Sequence, residues 1–132
     1  MSRRKSREQA FALLFEKSFN DLPVMDLAES AQDAREIIVE PFALALATGV
    51  EDKLADIDAR IDAYSHKWSR QRISRVALAV LRLAIYEMLY EDATPVSVAI
   101  NEAVELAKRF GGDEDSSFVN GILGSISREP AE

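Results

Sequence analysis

Arg3, Arg4 and Arg7 open the chain at a spacing with chemical meaning. At about 100° of rotation per helical residue, their side chains fall within an arc of roughly 100° on one side of a helix. Their guanidinium groups can then converge, each a planar fork of donors that matches phosphate oxygens and stacks on bases. Lys5 projects elsewhere but can still reach a backbone phosphate. The competing reading is a frayed basic terminus that aids solubility alone. A second group, His66-Lys67-Trp68-Ser69-Arg70-Gln71-Arg72-Ile73-Ser74-Arg75, mixes cations with an aromatic ring. Such mixtures bind unpaired RNA, with bases stacking on rings or guanidinium planes while cations hold phosphates. Lys67 and Arg70 are the candidate contacts there, with solvated cations as the equal alternative, and Trp68 is better read as a core residue.

Catalytic constellations are not visible in the sequence. The chain has one histidine, His66, and no cysteine, so it has no thiol nucleophile and no cysteine-ligated metal site. No G-x-S-x-G, H-E-x-x-H or P-loop spacing occurs. Gly111-Gly112 lacks the lysine and spacing of a phosphate cradle and reads as a helix terminator. Asp52, Asp56, Asp58 and Asp62 lack the spacing of a calcium loop, and the apolar residues between them recur at helical period. They read as a solvated helix face. The expectation is a protein that is not an enzyme and holds no metal.

The elements that must position these groups are helical throughout. Over 132 residues, 48% of them hydrophobic, the chain can fill one core. Phe11, Leu14, Phe15 and Phe19 recur at three- and four-residue steps, predicting an amphipathic helix from Arg3 to Phe19 that Asn20-Asp21-Leu22-Pro23 ends. A charged helix is expected from about Asp26 to Ile38. Pro41 suits the first turn of the next, whose stripe runs through Leu44, Val50, Leu54, Ile57 and Ile61 to about Ser65. The segment Ser69 to Tyr90 is apolar nearly all round, as in a helix at the centre of a bundle. Thr94-Pro95 breaks it, and a helix from Val96 to Phe110 closes at the glycine pair. Asp113 to Ser116 offer caps for a last helix over Ser117 to Arg128. No alternating strand pattern is found. The expectation is an all-α bundle of about six to seven helices in two packed sub-bundles, one covering about 1–65 and the other 66–132.

Charge adds a second layer. The net charge is −7, which on its own argues against phosphate binding. Residues 1–8 nevertheless carry four basic groups and one acid, a net of +3, leaving 12 basic groups and 22 acids, a net of −10, for the rest. An acidic body with local basic patches results. The basic start leads into no uninterrupted apolar stretch, and the run Val76 to Leu89 carries Arg82 and Glu87 and falls short of the roughly 20 residues of a membrane span. A soluble, cytoplasmic protein is expected.

Three motifs in order carry a resemblance. Val80-Leu81-Arg82-Leu83-Ala84-Ile85-Tyr86-Glu87-Met88, the segment Pro95 to Gly111 containing Ala99-Ile100-Asn101-Glu102-Ala103, and Phe118-Val119-Asn120-Gly121-Ile122-Leu123 resemble the NusB family. The opening Arg3-Arg4-Lys5-Ser6-Arg7-Glu8 is similar to its arginine-rich start, and residues 20–65 match only in helical pattern. The resemblance implies a transcription antitermination factor without cofactor. Such a factor binds single-stranded boxA RNA together with the small-subunit ribosomal protein that acts as NusE, joins an antitermination complex on RNA polymerase, and supports ribosomal RNA transcription. It also implies that Arg3, Arg4 and Arg7 contact RNA and that Phe118 lies beside the RNA surface. Read from the residues alone, Phe118 belongs equally to a core stripe with Ile122 and Ile126. Two departures stand out: Ser117 replaces a basic residue frequent before the phenylalanine, and Ala77 replaces an acid that faces the ribosomal partner. Glu102 and Glu105 are expected to pair along their own helix with Lys108 and Arg109. Self-association through the RNA surface, giving a homodimer, is compatible with the resemblance. A helical protein-binding module without RNA contact is the alternative. A methyltransferase of which such a fold is the front domain is disfavoured, since the sequence holds no cofactor-binding α/β domain and no cysteine.

Overall fold

Each expected helix forms where its caps and apolar stripe agree; one of them divides and one starts later than expected. The structure, a computed structural model, describes residues 2–35, 37–65 and 69–129. Among these lie seven helices and no strand: α1 (Arg3–Lys17), α2 (Val24–Arg35), α3 (Pro41–Asp52), α4 (Leu54–Tyr64), α5 (Arg75–Tyr90), α6 (Val96–Phe110) and α7 (Asp113–Ser127), with a 3-10 turn at Arg70–Arg72. The fold is all-α, as expected.

Local chemistry sets the ends. The Ser2 hydroxyl accepts from the Lys5 amide at 3.2 Å and starts α1. Pro41 begins α3, where its missing N–H costs nothing. Gly112, at φ 103°, lets the chain leave α6, and its amide reaches back to the Ala107 carbonyl at 3.0 Å. Asp113, Glu114 and Asp115 were expected as caps before the last helix; they form its first turn, where their charges meet the positive end of the helix dipole.

Two expectations need correction. The helix expected over residues 41–65 is two, α3 and α4, separated at Lys53 (φ −109°, ψ 16°). The break turns α4 away from the α1–α3 contact and onto α5 and α7. The helix expected from Ser69 begins only at Arg75, because the Ser74 hydroxyl accepts from the Ala77 amide at 3.0 Å and caps α5 there.

A single apolar cluster joins all of this. Phe11 and Leu14 from α1, Leu27 from α2, Leu46 and Val50 from α3, Ile57 and Ile61 from α4, Leu81 and Ile85 from α5, and Val119 and Leu123 from α7 are all buried in it. Helix α5 packs on α1, α3, α4, α6 and α7. It is the bundle's axis, which is why its sequence is apolar on nearly every face. Close packing is sharpest where Tyr86 lies against Gly49: a Cβ there would sit 2.2 Å from the tyrosine ring. No helix among the described residues is long and apolar enough to cross a membrane.

Candidate nucleic-acid interface

Helix α1 carries the four basic residues of its first two turns in two different environments. Arg3 is exposed, its guanidinium 3.9 Å from the centre of the Phe42 ring. Arg4 is 68% exposed and its Nε lies 3.2 Å from a Glu102 oxygen on α6. Lys5 is also exposed, with Glu8 at 3.9 Å. Arg7 differs. It is buried, donating from Nε and Nη2 to the two oxygens of Glu87 at 2.7 and 2.9 Å, with Glu102 3.8 Å from Nη1. Glu87 is 1% exposed. The hydrogen bond that Arg7 donates to Glu87 holds its guanidinium above the usual range and outweighs burial, so Arg7 keeps its charge.

The expected convergence of Arg3, Arg4 and Arg7 toward solvent is therefore corrected for Arg7. Its helical phase points it at α5, where the lone acid of an apolar helix requires a cation. Arg7 anchors α1 and leaves Arg3, Arg4 and Lys5 outside. The expected pairs within α6 are corrected as well. Glu102 turns to Arg4 and Arg7, while Arg109 pairs with Glu8 across the α1–α6 groove. Arg4, Arg7, Glu8, Glu102, Glu105, Leu106 and Arg109 line a cavity of about 100 Å³ in that groove.

Arg70 is bound from two sides. Its Nη1 donates to Asp58 and its Nε to Asp62, each at 2.8 Å, and the Asp62 hydrogen bond leads in raising its pKa above the usual guanidinium value. Arg82 of α5 donates to the same Asp58 at 2.9 and 3.0 Å. This buried carboxylate thus ties the 3-10 turn to the bundle, and the acids read from sequence as a solvated face include one with a structural task. Lys67, with His66 and Trp68, lies outside the described residues. Phe118 is half-buried against the core and lines a shallow pocket of about 280 Å³ with Arg72, Ile73, Ser74, Ala77, Glu114 and Asp115. Its packing meets the reading of Phe118 as part of a core stripe with Ile122 and Ile126.

These residues do not form one cluster. The pairs Arg7–Glu87 and Arg75–Ser18 show that α1 and α5 run antiparallel, so Arg3 and Arg4 lie at one end of α1 and the Arg72–Phe118 pocket beside the other. Sequence reasoning missed Glu87 and Glu102 as partners of the arginines. The available signal was Glu87 itself, an acid isolated in an apolar run.

The fold and the site define an all-α bundle that offers exposed cations and rings on its surface, the class of a helical binding module. A family model described as the NusB family matches residues 4–128. The chain belongs to the NusB family. It is 41% identical over 129 residues to the transcription antitermination protein NusB of Bacillus subtilis strain 168, covering 98% of this chain and 97% of that one. The solved structure of T. maritima NusB superposes with a TM-score of 0.85 at 38% identity, covering 100% of this chain and 94% of that one. A crystal structure of the antitermination factors NusB and NusE in complex with dsRNA shares the fold, with a TM-score of 0.84 at 22% identity and 94% of each chain covered.

Proposed function

We propose that the chain is a transcription antitermination factor that binds boxA-type single-stranded RNA together with the ribosomal protein NusE. In that role it joins an antitermination complex on RNA polymerase, supports ribosomal RNA transcription and works in the cytoplasm. The observation that carries the RNA contact is the exposed start of α1, where Arg3, Arg4 and Lys5 stand clear of the core while Arg7 holds the helix in place. A solved relative in complex with NusE and dsRNA supports both kinds of partner. The acidic body, at net −7, suits a basic ribosomal protein, because complementary potentials steer association. Arg70 and Phe118 belong to the same proposal at the far end of α1, Phe118 as a stacking surface and Arg70 through the loop it holds.

Anisotropy titrations of labelled boxA-type RNA, with and without NusE, at several salt concentrations, test this. Affinity is expected to rise when NusE is added and to fall with salt at about −0.7 in log–log slope per neutralised phosphate. Arg3→Ala with Arg4→Ala should flatten the slope by about 1.4 if each side chain meets one phosphate. An unchanged slope removes both from the interface. The second reading, a protein-binding module without RNA contact, draws on the carboxylates already facing Arg4, Lys5 and Arg109. It predicts saturable NusE binding and no saturable RNA signal.

A further inference from the structure

Four phenylalanines form a continuous run along the edge of α1. Ring centres lie 5.0 Å apart between Phe110 and Phe11, 5.8 Å between Phe11 and Phe15, and 5.1 Å between Phe15 and Phe19. Phe11 is buried, whereas the end rings stand out, Phe19 at 63% exposure and Phe110 at 45%. A guanidinium lies on each end ring: Arg109 at 5.0 Å from the Phe110 centre and Arg75 at 4.3 Å from that of Phe19. The inner rings therefore hold the outer ones in place.

The two ends differ electrostatically. Arg109 is paired with Glu8. Arg75 donates to the Ser18 carbonyl at the end of α1, and among the described residues no carboxylate lies within ion-pair distance of it. Six other arginines, Arg4, Arg7, Arg60, Arg70, Arg82 and Arg109, do have such carboxylates. The Phe19–Arg75 pair is thus an exposed ring with an uncompensated planar cation stacked on it, fixed by the helix terminus beneath.

We propose that Phe19 and Arg75 form a base-stacking subsite for unpaired RNA, beyond the arginines at the start of α1. The inference rests on the RNA-binding reading above and extends it. From Arg4 to Lys17 the 1.5 Å rise per residue spans about 20 Å, and Phe19 follows in the turn that ends α1, so one strand can follow this edge from the first cations to the last ring. A nucleobase stacks on the open part of the Phe19 ring and on the guanidinium plane, and the guanidinium edge meets the adjoining phosphate. A basic protein is a poor occupant, since an unpaired cation at its interface would repel it. An anionic, aromatic ligand satisfies both groups.

The test uses the whole protein with NusE and two RNAs: a boxA-type strand, and the same strand extended at either end by an unstructured tail carrying 2-aminopurine. Phe19→Leu keeps an apolar contact with Phe15 and removes the ring; Arg75→Gln keeps a polar group near Ser18 and removes the charge. The tail is expected to tighten binding roughly tenfold and to quench 2-aminopurine on stacking. Both substitutions should abolish the gain and the quenching while leaving the tailless RNA unaffected. If the tail adds nothing, or its gain survives both substitutions, the subsite is overturned while the RNA function stands on the tailless strand. If the substitutions weaken NusE binding instead, the ring is a protein contact and the subsite is likewise overturned. Failure of the tailless RNA to bind the unaltered protein with NusE sinks the functional reading, and this inference with it.

Discussion

Arg4 and Arg7 sit three residues apart on one helix and both meet carboxylates from other helices, yet they belong to regions with opposite physics. At the α1–α5 seam, Arg7 and Glu87 are out of water, bound through both fork positions, with each charge costly to leave alone. At the α1–α6 edge, Arg4 touches Glu102 through one nitrogen in high dielectric, where an ion pair is worth roughly 0–1 kcal/mol and yields readily to a competing phosphate. The buried pair is bidentate at 2.7 and 2.9 Å, the edge pair a looser contact at 3.2 Å. Solvent decides that one pair is structure and the other a surface available to an anionic partner.

Removing one member of the buried pair should have the largest effect. Glu87→Ala leaves the Arg7 charge stranded and is expected to lower stability by about 3–5 kcal/mol, read by urea unfolding. A loss below about 1 kcal/mol would mean that water reaches the seam, and the contrast would fail. Asp58→Asn tests an intermediate case, since Asp58 is buried but its partners Arg70 and Arg82 are partly exposed. The expected loss is about 1.5–3 kcal/mol, with faster amide exchange across residues 70–73. Glu102→Gln should shift stability by less than about 0.5 kcal/mol while raising RNA affinity, because it frees Arg4 at the exposed edge. Equal affinity for both proteins would show that Glu102 does not compete with phosphate.

The smallest effect is a matter of pH. Burial of Lys17 opposes its charge, but hydrogen bonds with Glu51 and Asp21 outweigh that and hold the ammonium above its usual range. A folded pKa raised in this way gives stability that is complete below the unfolded value, about 10.4, and lost as pH rises through the folded one. Alkaline unfolding curves of the wild type and Lys17→Met should converge above that window. A constant difference across it would remove Lys17 from the account.

The helices at 3–17 and 96–110 were legible because caps, stops and apolar period agreed within each segment. The break at Lys53 was not, since Val50, Leu54, Ile57 and Ile61 keep one phase across it. The start of α5 was half legible: Ser74 is a good cap, but apolar Ile73 masks it. At the site, the exposed cations of α1 were readable from type and spacing, whereas the fate of Arg7 was not. Phe19 and Arg75 lie 56 positions apart, and no local pattern pairs them.

Local sequence determined which segments are helical, that α5 must be central, and that the chain opens with a cluster of cations, because these follow from residue type and periodicity along a short stretch. Only the tertiary structure decided which cations face water. That choice depends on carboxylates supplied by α4, α5 and α6, and on how much solvent the packed helices leave around each pair.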